Sequence, residues 1–278
     1  MGLHEKLDRV IDRAIEIPVL RHVLKFAYDK KFTTARNAHM FKGVYCSFEE
    51  ALQNLPNDFE NGYDNPASAE MYLHRLVADE YDYPPLFWLS KSISCGMRSI
   101  VDLGGSVGIK YYAFSKLIDF PVDLQWTVVD VPAAVIKGRD FAKLNASASK
   151  IHFSDNYQSG DGVDILFCSG SLQYLPLKLK DIVSAYFRYP KRIIVNTTAI
   201  HPTESFFTVN NIGTAFCAYR VQSRGAFIDE MQAMGYALRD SWTNLGKSMS
   251  LRFEKGYSIH NYSGFCFDLV GHENVINN

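Results

Sequence analysis

Asp102 sits inside the run Ile100-Val101-Asp102-Leu103-Gly104-Gly105-Ser106-Val107-Gly108, and Asp130 closes a second apolar run, Trp126-Thr127-Val128-Val129. An apolar strand entering a glycine-rich turn, followed by a strand tipped with a carboxylate, is how a doubly wound sheet holds a nucleoside-bearing cofactor. The glycines allow a sharp turn and close approach of the backbone to a ligand. Asp130 can accept both hydroxyls of a ribose. Dinucleotide binding asks for G-x-G-x-x-G, and here Ser106 stands where the second glycine would be.

The turn reads D-x-G-x-S-x-G, which resembles motif I of class I S-adenosylmethionine (SAM) methyltransferases. Val128-Val129-Asp130-Val131-Pro132 resembles the segment after strand two in small-molecule O-methyltransferases, with the proline opening a helix. Ile151 to Tyr157 resembles the end of strand three, and Gly162 to Ser169 followed by Gly170-Ser171-Leu172-Gln173-Tyr174-Leu175 resembles strand four and its loop. The resemblance implies SAM as cofactor and S-adenosylhomocysteine as product. It implies a cofactor site of Asp102, Gly104, Gly105, Ser106, Gly108, Asp130, Val131, Asp155, Asn156, Ser169 and Ser171. In it, Asp102 lies near the methionine ammonium, Asp130 holds the ribose, and Asp155 with Asn156 faces the adenine.

Segments 41–51, 62–64, 102–112, 126–129 and 171–175 are similar to a bacterial family of methyltransferases known mostly from sequence. Its genes often sit among those for surface polysaccharide or secondary metabolites, which implies a small-molecule or sugar acceptor. Methyl transfer from a sulfonium mainly requires alignment and exclusion of water, and an oxygen nucleophile usually also needs a base. Plant-type O-methyltransferases carry a histidine in the loop after strand four. The matching position here is Gln173, which cannot take a proton. Three alternatives stay open: a base from elsewhere, with His201 just past strand five and His260 as options; an acceptor already acidic; or a non-catalytic SAM-binding subunit. Gln173, Tyr174 and His201 are the catalytic candidates. Tyr63 and Asp64 are lid candidates, and Arg75 could meet an anion. A nicotinamide-dependent oxidoreductase is the remaining alternative.

These residues need an alternating framework to position them. Strands are expected near 98–103, 124–130, 150–154, 163–168 and 191–197, and helices near 107–118, 132–145, 177–188 and 223–234. The alternation predicts an α/β fold with a doubly wound, mostly parallel seven-stranded sheet, Rossmann-like. An antiparallel hairpin should end it, with Gly264 to Leu269 as the last strand and further extended stretches at 236–244 and 249–253. Residues 1–97 read as a mostly helical cap or lid and 98–278 as the cofactor-binding domain. Residues 1–30 suit two amphipathic helices separated at Pro18, packed on the core or a second subunit, with peripheral membrane contact as the alternative. Ser47 and Glu50 suggest a capping box. Phe206, Phe207, Phe216, Tyr219 and Phe227 crowd the region after strand five, where an acceptor pocket or an ordinary core would both suit them.

With 278 residues, 47% of them apolar, the chain can bury one α/β core and a smaller appended part. A net charge of −1 with interspersed signs disfavours nucleic acid. Five scattered cysteines without a C-x-x-C pair argue against metal and for reduced thiols. No run approaches a membrane span, so a soluble, cytoplasmic protein is expected, with a homodimer left open.

Overall fold

Seven strands form the central sheet: β2 (Ser99–Leu103), β3 (Gln125–Val129), β4 (Ile151–Ser154), β5 (Ile165–Ser169), β6 (Arg192–Thr198), β10 (Tyr236–Asn244) and β11 (Tyr262–Leu269). In this computed structural model, residues 15–34, 39–57, 59–145 and 149–271 are described. The strand order is β10-β11-β6-β5-β2-β3-β4. The five strands β2 to β6 pair in parallel, while β11 runs antiparallel to both β6 and β10. This is the doubly wound sheet with a terminal hairpin that the sequence predicts. The 249–253 stretch forms no strand; Met249 makes one isolated bridge with Ile259.

The central strands are apolar because helices cover both faces. β6 is buried at every residue. One core cluster centres on Trp126, Phe114 and Phe167, the other on Leu166, Ile193 and Phe265. The connecting helices are α4 (Tyr83–Ser94), α5 (Ile109–Phe114), α6 (Pro132–Leu144), α7 (Leu179–Ser184) and α8 (Arg224–Ala233). Pro132 opens α6 at its first turn. The Val131 position has no capping side chain, and Asp64 supplies one from afar: its Oδ1 accepts the Ala133 N–H at 2.9 Å.

The N-terminal part holds α1 (Pro18–Thr34), α2 (Phe48–Gln53) and α3 (Pro66–Glu70), and also a strand, β1 (Met40–Tyr45). The first of the two amphipathic helices expected here lies largely outside the described residues. Ser47 caps α2 by accepting the Glu50 N–H, as expected, but the Glu50 carboxylate reaches back to the Cys46 N–H rather than that of Ser47. Sequence reasoning missed a second sheet. After β6 the chain forms β7 (Ile200–His201), β8 (Phe206–Asn211) and β9 (Phe216–Ser223), which join β1 in the order β1-β8-β9-β7. Its core holds Phe41, Phe206, Tyr219 and Tyr262. The aromatic crowding after strand five is therefore largely the packing of this sheet.

Candidate functional site

The carboxyl ends of β2, β3, β5 and β6 open into one cavity of about 470 Å³. The segment from Asn61 to Tyr81 and the strand β9, through Cys217 and Ala218, wall its other side. The glycine turn forms the floor. Gly104 has φ +72°, and a Cβ there would lie 2.2 Å from the Ser171 Cβ. A Cβ on Gly105 would lie 2.4 Å from Asp102 Oδ2. Only glycine lets the turn approach both the neighbouring loop and the carboxylate beneath it. Ser106 takes a left-handed φ of +55°, which aims its N–H at Asp130 Oδ2, 2.6 Å away.

The two carboxylates face the cavity in different ways. Asp130 accepts N–H groups from Ser106 and from Val131, one on each oxygen. Burial raises its carboxyl to about 6 against the opposition of those two N–H groups, with Asp64 adding to the rise. Asp102 is 1% exposed, and neither oxygen has a hydrogen-bond partner of good geometry; the buried Trp126 indole N–H, itself without another partner, is near enough only to favour the charged form weakly. Burial raises its carboxyl to about 7; Asp130 adds to the rise, while Lys110 and the Trp126 indole oppose it. Buried polar groups are normally paired, so an unpartnered carboxylate on a cavity floor marks a place for a donor or a cation.

A hub of hydrogen bonds carries the opposite wall. Lys110, in the first turn of α5, donates to both oxygens of the fully buried Asp82 at 2.8 and 2.6 Å. Asn196 and Asn244, at the ends of β6 and β10, donate to the Tyr81 carbonyl. The Tyr81 phenol donates to Asp79, which also pairs with Arg75. A tyrosine cluster lines the remaining wall: Tyr63 meets Tyr174 edge to face at 4.9 Å, and Tyr174 donates to Asn210 Oδ1 at 3.0 Å.

Of the residues singled out in the sequence, Asp102, Gly104, Gly105, Ser106, Asp130, Val131, Ser169, Ser171, Tyr174, Tyr63, Asp64 and Arg75 line this cavity. Gly108 does not; it begins α5 at φ +88°, where a Cβ would strike Ile151. Asp155 and Asn156 are exposed outside the lining, and Tyr157 lines the wall in their stead. Gln173 is buried beneath the cavity, donating to the Gly170 and Thr197 carbonyls. His201 lies away from it: Nε2 meets the Gly256 carbonyl, and Nδ1 accepts the Thr203 and Glu204 N–H groups. Both ring nitrogens are thus committed to backbone, and His260 is exposed outside the lining.

Tyr72, Tyr81, Lys110, Thr197 and Lys247 line the cavity without having been singled out. Lys110 had a signal, being two residues past the last glycine of the turn. Thr197 had none in the sequence; its left-handed φ of +51° is rare for a β-branched residue. The described residues contain no cluster of metal-ligating side chains and no helix long and apolar enough to cross a membrane.

No family model matches the chain, and no curated protein does. Among solved structures, it is similar to the mitomycin 7-O-methyltransferase MmcR, at 14% identity over 81% of this chain with a TM-score of 0.42. The chain spans 61% of the length of MmcR. It is similar to the CcbJ methyltransferase from Streptomyces caelestis, at 10% identity over 74% of this chain and 96% of that one, TM-score 0.47. A third is the Burkholderia thailandensis 1,6-didemethyltoxoflavin-N1-methyltransferase, solved with that substrate and S-adenosylhomocysteine. The identity there is 16%, over 69% of this chain and 79% of that one, TM-score 0.44.

Proposed function

We propose that the chain is a class I SAM-dependent methyltransferase acting on a small-molecule or carbohydrate-type acceptor, at oxygen. The observation that carries this reading is Asp102, a buried carboxylate with two unpartnered oxygens on the floor of the cavity. An uncompensated buried charge is costly, and a ligand with an ammonium would satisfy it. A pyrophosphate at the same place would be repelled. The residues fit the cofactor in three further respects. Gly104 and Gly105 let the turn lie directly on Ser171 and Asp102, where a Cβ would collide, and so bring its backbone to the cavity floor. Asp130 is fixed by two N–H groups with lone pairs to spare for ribose hydroxyls. Tyr157 offers a ring beside them in place of Asp155 and Asn156.

When bound, the cofactor supplies a methyl group on a positively charged sulfur. The chain's part is to orient the acceptor and exclude water, with residues 1–97 as the cap over the domain formed by 98–278. Tyr63 and Tyr174 are phenols that burial holds well above their ordinary range. They stay protonated and act as hydrogen-bonding walls, not bases. Among the described residues no histidine lines the cavity, and this favours one second reading, a SAM-binding subunit without catalysis.

Calorimetric titration with SAM, S-adenosylhomocysteine and NAD tests the assignment. Micromolar binding of the first two and none of NAD is expected; the reverse would replace this reading with an oxidoreductase. Binding without turnover on any acceptor pool would favour the second reading. The free, scattered cysteines fit a cytoplasmic protein. The likeness to a bacterial polysaccharide- or metabolite-associated family guides the choice of acceptors to screen. A homodimer through the exposed Val19, Val23 and Phe26 of α1 completes the proposal, and sedimentation of Phe26→Glu beside the wild type tests it.

A further inference from the structure

Three cations line the cavity, and two of them are neutralised. Arg75 pairs with Asp79 at 2.6 Å and Lys110 with Asp82 at 2.6 Å. The third, Lys247, has no carboxylate within ion-pair distance among the described residues; its ammonium lies 4.7 Å from the centre of the Tyr81 ring. It is half-buried, and its backbone is pinned by the Asn244 carbonyl and the Tyr262 N–H. Burial and then the Arg75 charge hold its pKa below the usual lysine range. Asp79 and Asp82 act on it only from beyond ion-pair distance and are themselves paired, and a half-buried cation on a cavity wall without a direct ion-pair partner can receive an anion.

A second observation concerns proton removal. The carboxylates Asp64, Asp79 and Asp82 are each engaged, and burial holds the Tyr63 and Tyr174 phenols well above their ordinary range. Asp79 is held below its ordinary range, burial notwithstanding, by the Tyr81 phenol and Arg75. Asp82 is bound to Lys110, and Asp64 caps α6. An acceptor that arrives as an anion asks for no such base.

Resting on the methyltransferase reading, we propose that the acceptor is an organic anion, a carboxylate or an acidic phenol, whose charge is met by Lys247. Lys247 follows β10, at the far edge of the sheet from β3, which bears Asp130. That separation sets Lys247 apart from the ribose and adenine end of the cofactor, so the one rival anion is the methionine carboxylate, which the test below separates from the acceptor.

The test uses protein saturated with S-adenosylhomocysteine and titrated with benzoate and with its neutral isostere benzamide. Benzoate should bind about tenfold or more tighter, the ratio expected for one charge-assisted hydrogen bond. Lys247→Met should remove that preference with the melting temperature retained, and Lys247→Arg should keep it. Equal binding of the two probes by loaded wild-type protein, or no binding of either, overturns the proposal alone. Weakened S-adenosylhomocysteine binding by Lys247→Met, with 5′-methylthioadenosine unaffected, also overturns it by assigning Lys247 to the cofactor carboxylate. Wild-type protein that binds no S-adenosylhomocysteine removes the methyltransferase reading, and this inference with it.

Discussion

Asp102 is held where its charged form is disfavoured, and this has a measurable sign. Its carboxyl moves from an ordinary 3.8 to about 7 in the folded chain. Between those values the folded state binds more protons than the unfolded one, so stability falls as pH rises, and the loss is complete above about 7. Three units correspond to at most about 4 kcal/mol. Asp102→Asn should therefore melt higher than the wild type at pH 8 without cofactor, and the advantage should fade toward pH 4. The same variant should bind S-adenosylhomocysteine more weakly by about 1–3 kcal/mol. A pH-independent difference in melting temperature would show that Asp102 does not titrate in this range. Gln173 makes the contrasting case. The segment Leu172 to Leu175 resembles one that carries a histidine in plant-type O-methyltransferases, yet the 172–174 turn points Gln173 inward, where it holds the carbonyl of the strained Thr197. Gln173→Ala should lower stability in urea by about 1–3 kcal/mol by leaving that buried carbonyl unpaired. Unchanged stability would argue that the amide serves the ligand instead.

Elements differ in how plainly their sequences announce them. β2, β3, β5 and β6 read clearly because strands covered on both faces are continuous apolar runs, and Pro132 marks its own helix. The second sheet was hidden for two physical reasons. β9 is buried at seven of its eight residues and lacks the alternation of a half-buried strand. β1 pairs with β8 across more than 160 residues, a contact with no local signature. The cavity floor was legible because glycines and terminal carboxylates sit at fixed offsets in the strand ends, although Gly108, Asp155 and Asn156 fall outside the lining. The opposite wall was legible only in Tyr63, Asp64, Arg75 and Tyr174, because Tyr81, Lys110 and Lys247 converge on it from three separate segments. Gly138 was likewise silent in the sequence. It lies inside α6, where a Cβ would meet the Phe153 ring at 2.2 Å. Alanine should improve helix propensity by about 1 kcal/mol, yet overpacking costs about 1–3 kcal/mol. Gly138→Ala should thus be destabilised in urea unfolding, and Phe153→Leu in the same chain should restore part of the loss. A more stable Gly138→Ala would mean that β4 can yield to the helix.

The whole molecule is tied together at the end of the sheet away from the cavity. Arg192, fully buried at the start of β6, donates to both oxygens of Asp268 on β11, at 2.6 and 2.9 Å. Its third arm donates to Ser92 Oγ, and its guanidinium lies 4.9 Å from the Trp88 ring, both on α4. Arg239 adds a further contact to Asp268 at 3.1 Å. One ion pair therefore joins the N-terminal part to the central sheet and to its terminal hairpin. Desolvating both charges offsets much of their attraction, whereas removing one partner strands the other. Asp268→Ala should accordingly cost about 3–5 kcal/mol in urea unfolding. Arg192→Met with Asp268→Leu should recover most of that loss, since apolar side chains fill the space without a stranded charge. If the double variant is as unstable as Asp268→Ala, the pair acts through its hydrogen bonds to Ser92 and the stacking on Trp88, and the N-terminal part is held to the sheet by polar contacts that hydrophobic packing cannot replace.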